Sequence, residues 1–176
     1  MTSHLKTLTA VAFVSILLTA CGGGGGGGSS NDDAPAVPDP STKSGVLTVS
    51  DSTAMGINGV YGSGELAITE VFLKDGFGTA EPELCVFKFT GAEMAGSTET
   101  AFGEITYRPT SMGLHFAFLT FGEREYSSGD SVDTAVDRPG NLVRFTGKTL
   151  TATDGSKDTL KLTAVIPMRI NRPDGC

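Results

Sequence analysis

Between Gly45 and Ile170 apolar and polar residues alternate with a period of two, interrupted by turn residues, as half-buried β-strands require. The stretch 45–50 (GVLTVS) sets Val46 and Thr48 against Leu47 and Val49. Residues 65–73 (ELAITEVFL) are rich in β-branched and aromatic side chains, bounded by Gly64 and by Lys74, Asp75 and Gly76. In 84–90 (LCVFKFT), Cys85, Phe87 and Phe89 share one face, and Leu84, Val86 and Lys88 share the other. Residues 102–108 (FGEITYR) place Ile105 and Tyr107 together, opposite Glu104, Thr106 and Arg108. The stretch 113–122 (GLHFAFLTFG) is apolar on both faces apart from His115 and Thr120, which predicts a central strand. Residues 141–153 and 157–170 flank Asp154-Gly155-Ser156 and predict a hairpin. In its second arm Leu160, Leu162, Ala164 and Ile166 fall on one face, and Pro167 closes the ladder or marks an edge. Only 91–96 (GAEMAG) hints at a helix, of one or two turns at most.

This pattern predicts an all-β domain over residues 45–176, with about seven or eight antiparallel strands in a sandwich or a small barrel. The barrel is favoured. Roughly 130 residues suffice for one core. Phenylalanine supplies most of its aromatic bulk, since the chain has 10 Phe, 3 Tyr and no Trp.

The N-terminal region follows another logic. Lys6 and the terminal amine precede an uncharged apolar run, Leu8 to Leu18, which is too short to span a bilayer. Thr19 and Ala20 follow, then Cys21. Residues 1–20 therefore read as an export signal. Leu18-Thr19-Ala20-Cys21 resembles the lipobox of bacterial lipoproteins. The resemblance implies cleavage between Ala20 and Cys21, a diacylglyceryl thioether on Cys21 and acylation of the new amine. It covers only about the first 22 residues. Two or more acyl chains hold a protein at a membrane durably, where one chain does not. In Gram-negative lipoproteins Asp after the cysteine favours the inner membrane. Gly22 here implies the outer membrane, facing the periplasm or the exterior, in a Gram-negative host, and the anchor is the cytoplasmic membrane instead in a Gram-positive one.

Residues 21–44 join the lipidation site to the β domain. Their glycine run opens no helix, so it is not a phosphate cradle. Glycine, serine, acids and spaced prolines form a stalk that reaches about 25–30 Å as a coil. The denser glycines of 56–64 likewise precede no helix and predict tight turns or a bulge.

Losing residues 1–20 removes Lys6 and no acid, so 12 of the 13 basic side chains face 20 acidic ones and the net charge is −8. No run of Lys or Arg occurs, which excludes a nucleic-acid footprint of the usual kind. The negative balance opposes docking on anionic headgroups, leaving attachment to the acyl groups. Cys85 and Cys176, an even pair in an exported chain, are expected to form a disulfide. Closing a loop of about 90 residues contributes about 4–5 kcal/mol in the chain-entropy model. It would also pin the C-terminal tail.

Chemistry is sparse. With His4 in the leader, His115 is the only histidine of the processed chain and reads as a hydrogen-bonded strand residue. Glu81 with Glu83 and Glu123 with Glu125 are carboxylate pairs whose neighbours mark solvated turns, not acid–base sites. The polar loop 127–141 carries Asp130, Asp133 and Asp137, candidates for a hard cation such as Ca²⁺. Their spacing matches no standard loop, and a solvated acidic loop is the favoured reading. No catalytic residue, resident metal or cofactor is expected. These observations predict a membrane-anchored envelope protein in a structural or interaction role, with another envelope protein as partner. The rival is a carrier whose interior, lined by Phe87, Phe116 and Phe118, holds a small apolar ligand or lipid. A hydrolytic enzyme ranks third.

Overall fold

The computed structural model describes residues 43–62, 64, 66–75 and 83–176, all within the compact unit Val37–Cys176. Residues 1–42, on which the expected leader, lipobox with Cys21 and most of the expected linker fall, and Glu81 lie outside the described residues.

The described chain is all-β, without helices. Its strands are β1 (Val46–Ser50), β2 (Gly59–Tyr61), β3 (Ala67–Lys74), β4 (Leu84–Glu93) and β5 (Thr100–Tyr107). They continue as β6 (Phe116–Phe121), β7 (Arg124–Ser128), β8 (Thr134–Asp137), β9 (Leu142–Ala152) and β10 (Thr159–Pro167). All pairings are antiparallel, and one sheet runs β2-β1-β10-β9-β7-β6-β5-β4-β3, with β8 also on β9. The sheet curls into a half-barrel.

Ten strands exceed the seven or eight expected. The three additions, β2, β7 and β8, occupy five residues or fewer each, too short for alternation to declare them. The helical expectation for 91–96 is corrected. Gly91 and Gly96 have φ of 87° and 76°, outside helical space, and residues 91–93 continue β4 beyond a bulge between Phe89 and Ala92.

Face assignments follow the alternation. Cys85, Phe87, Phe89, Ile105 and Tyr107 are buried together with Leu160, Leu162, Ala164 and Ile166. Tyr61 packs edge-on against Phe121, and Phe87 against Tyr107. Two of the three buried tyrosines give their hydroxyls to backbone oxygens. The Tyr61 hydroxyl donates to the Ile57 carbonyl at 2.8 Å, and the Tyr107 hydroxyl to the Cys176 carbonyl at 2.8 Å.

The curl brings β2 to the far end of β4. Tyr61 bridges Met94, the Gly62 N–H donates to the Glu93 carbonyl at 2.8 Å, and the Ala95 N–H to Val60 at 2.9 Å. Glycine makes this seam possible. Gly62 has a φ of +83°, and a Cβ there would collide with the Gly45 carbonyl oxygen. Gly56, with a φ of +85°, has open space around it. Gly62→Ala is expected to cost about 2–3 kcal/mol, from backbone strain and collision, whereas Gly56→Ala costs about 1 kcal/mol from strain alone. Thermal unfolding of the two variants checks this; equal losses would show that the seam is not closely packed.

Candidate functional site

The sequence candidates do not converge. Asp130 accepts the Val132 N–H at 2.9 Å, Asp133 turns the chain with a φ of 57°, and Asp137 accepts the Gly140 N–H at 2.9 Å. Among the described residues no group of three or more His, Cys, Asp or Glu side chains is placed to hold a metal ion. His115 does not sit mid-strand. It is exposed in the bend before β6, with its backbone N–H bonded to the Thr106 carbonyl at 2.8 Å. Glu123 lies in the tight β6–β7 turn, and Glu125 accepts the Thr153 hydroxyl at 3.0 Å on the outer face. Glu83 is exposed ahead of β4.

The three phenylalanines do not line one interior either. Phe87 is packed in the core, while Phe116 and Phe118 stack at 4.5 Å on the opposite face of the sheet. The stretch 113–122 is apolar on both faces because its outer side forms this aromatic stack. A groove of about 480 Å³ runs beside it, lined by Phe102, Phe118, Lys88 and Glu104 among others. Lys88 bridges Glu70 at 3.1 Å and Glu104 at 3.5 Å across the groove floor.

Two polar constructions were not anticipated. The first is Lys148, whose side chain is 4% exposed on the inner face of β9 and which pairs with Asp130 of the β7–β8 connection. Gly147, with a φ of 64°, kinks β9, and the β9–β10 register shifts beside it. The kink changes the parity of the strand. Val143 and Phe145 face inward before it, and Lys148, Leu150 and Ala152 after it. The same parity is visible in 141–153, where Lys148 shares the face of Leu150. Its bond to Lys148, first, and then to the Val132 N–H hold the Asp130 carboxyl below the usual carboxylate range.

The second is the end of the half-barrel where the chain finishes. Cys85 and Cys176 stand at disulfide distance, with S–S 2.12 Å and Cα–Cα 5.5 Å. Above them the Arg138 guanidinium lies 5.2 Å from the Tyr107 ring centroid. It donates to three carbonyls: Ser111 at 2.6 Å, Arg108 at 2.7 Å and Gly175 at 3.1 Å. Arg172 donates to Asn141 Oδ1 at 2.6 Å and to the carbonyls of Arg169 at 2.9 Å and Arg138 at 3.1 Å. Burial pushes the Tyr107 hydroxyl up, and the Arg172 and Arg138 charges pull partly the other way. The phenol therefore stays neutral and donates to Cys176.

Comparison with protein-family models, curated proteins and solved structures finds no match.

Removing one member of the Lys148–Asp130 pair is not equivalent to removing the other. Asp130→Asn leaves a buried ammonium without its counter-charge and is expected to cost about 1–3 kcal/mol, less than a fully enclosed pair because Asp130 is 62% exposed. Lys148→Met replaces the ammonium with a thioether on an apolar face and is expected to stay within about 1 kcal/mol of the parent. Because the folded pKa is lowered, the stabilisation is complete above the normal carboxylate range and is lost as pH falls through the depressed folded value. Urea unfolding from neutral to acid pH checks this, and the acid limb should flatten in both variants. For the cysteines, non-reducing peptide mapping should recover the fragment joining Cys85 to Cys176, and Cys85→Ala should cost about 2–5 kcal/mol.

Proposed function

We propose that the chain is a lipid-anchored bacterial envelope protein. Its acylated Cys21 holds the half-barrel domain at the outer membrane on the 22–44 linker, in a structural or interaction role. The observation that carries this reading is the Leu18-Thr19-Ala20-Cys21 lipobox directly behind an uncharged apolar run. An interaction role is favoured over chemistry because Asp130, Asp137 and Glu125 are committed to local contacts. Asp130 is held in a turn and an ion pair, Asp137 in a turn, and Glu125 by a hydroxyl contact. The outward-facing Phe116–Phe118 stack and its groove offer a surface for contact with another envelope component.

Cys21→Ser tests the anchor. The variant is expected to accumulate as an unprocessed precursor that incorporates no labelled fatty acid. Normal cleavage followed by membrane fractionation equal to the parent would overturn the reading.

A further inference from the structure

Strand β3 is an open edge of the sheet. It pairs with β4 on one side, and among the described residues no strand lies on its other side. The other terminal strand, β2, is engaged at the seam, where it is bridged to Met94 and bonded to Glu93 and Ala95. An eight-residue edge offers unpaired backbone donors and acceptors to an extended segment. A bulge between Ile68 and Glu70 interrupts only its first part. Residues 70–74 beyond the bulge keep an unbroken register with β4.

Neither face of this regular part is fully covered. Val71 and Leu73 pack toward the core and Phe72 lies on the outer face, yet all three remain half-buried. Three consecutive apolar residues in that state are unfavourable in water unless another surface covers them. Two cross-strand rows of the outer face also end here. One joins Phe116, Thr106, Val86 and Phe72, with Val86 buried inside it. The other joins Phe118, Glu104, Lys88 and Glu70. Lys88 lies 3.5 Å from Glu104 and 3.1 Å from Glu70, so charge alternates along this row and stops on an acid. The Glu70 side chain is 51% exposed. Lys74, exposed on the same outer face, makes no ion pair among the described residues.

These five residues are complementary to themselves. If two β3 strands pair antiparallel with Phe72 opposite its own counterpart, Val71 meets the second copy's Leu73 and Glu70 meets the second copy's Lys74, each contact occurring twice by symmetry. We propose that β3 is a docking edge for a second copy of this chain, giving a two-fold dimer whose sheet runs continuously through residues 70–74 of both copies. The apolar row then passes from Phe72 into its counterpart, and the charged row gains the base that its open end lacks. Two-fold pairing consumes the edge, and β2 is already engaged, so the assembly closes at two copies. Free backbone alone would admit any extended peptide; the placing of Glu70 and Lys74 symmetrically about Phe72 selects the same strand. The dimer stands independently of the lipid anchor.

The test uses the full chain purified in detergent, followed by sedimentation equilibrium and by hydrogen exchange of residues 70–74 at rising protein concentration. A concentration-dependent dimer is expected, with exchange in 70–74 slowing as it forms. Lys74→Glu sets like charges opposite each other at both ends of the pairing and is expected to raise the dissociation constant about tenfold. Glu70→Lys/Lys74→Glu restores opposite charges across the dimer and is expected to recover most of that loss. The exchange measurement on the parent needs no variant to fold. A monomer at every concentration, a dimer that leaves exchange in 70–74 unchanged, or a double variant no tighter than Lys74→Glu alone overturns the proposal.

Discussion

The kink at Gly147 is the constraint on which the arrangement of this half-barrel depends. Strand β9 pairs with β10 along its length and with both β7 and β8 on its other side. Between these two neighbours β9 bends at Gly147, whose φ is 64°, beside the register shift against β10. Before the kink Phe145 opposes Thr134 of β8; beyond it Thr151 and Ala152 oppose β7. The gap between the two neighbours is spanned by residues 129–133. Lys148 closes it from within, reaching Asp130 from an otherwise apolar face. An apolar side chain such as methionine would fill much of the volume but would not fasten the connection. That difference separates the energetic role of the pair, which is small, from its role in placing the loop.

The opposite constraint operates where the chain finishes. Here guanidinium groups are satisfied by backbone carbonyls, which neutralise no charge. Carbonyls at strand ends and in turns lack ladder partners, and arginine with five donors can satisfy several at once. Arg138 thereby ties the ends of β5 and β8 to the C-terminal segment, and Arg172 ties that segment to the turn before β9. Structural cohesion at this end therefore comes from one choice of donor.

Much of the fold was legible in local alternation. Cys85, Phe87 and Phe89, or Leu160 through Ile166, declare a buried face because a strand places every second residue on the same side. Strands β2, β7 and β8 were not legible, since two or three residues per face cannot establish a period, and their pairing is set by neighbours distant in sequence. The chemistry was legible only as residue types. His115 looked mid-strand because its neighbours are apolar, yet Leu114 is buried ahead of the strand and the ladder begins at Phe116. The reading of Phe116 and Phe118 as interior failed for a related reason. Alternation tells which residues share a face, but when both faces are apolar it cannot tell which one is enclosed.

The sequence by itself determined the alternating faces of the long strands, the hairpin at Asp154-Gly155-Ser156 and the lipobox-like segment, each carried by residues close together in the chain. Tertiary structure alone decided the seam between β2 and β4, the enclosure of Lys148, the outward stack of Phe116 on Phe118 and the gathering of four dispersed arginines. The physical reason is range. Strand period and turn chemistry act over a few residues, whereas charge that is scattered along a chain becomes a surface only when folding sets distant residues side by side.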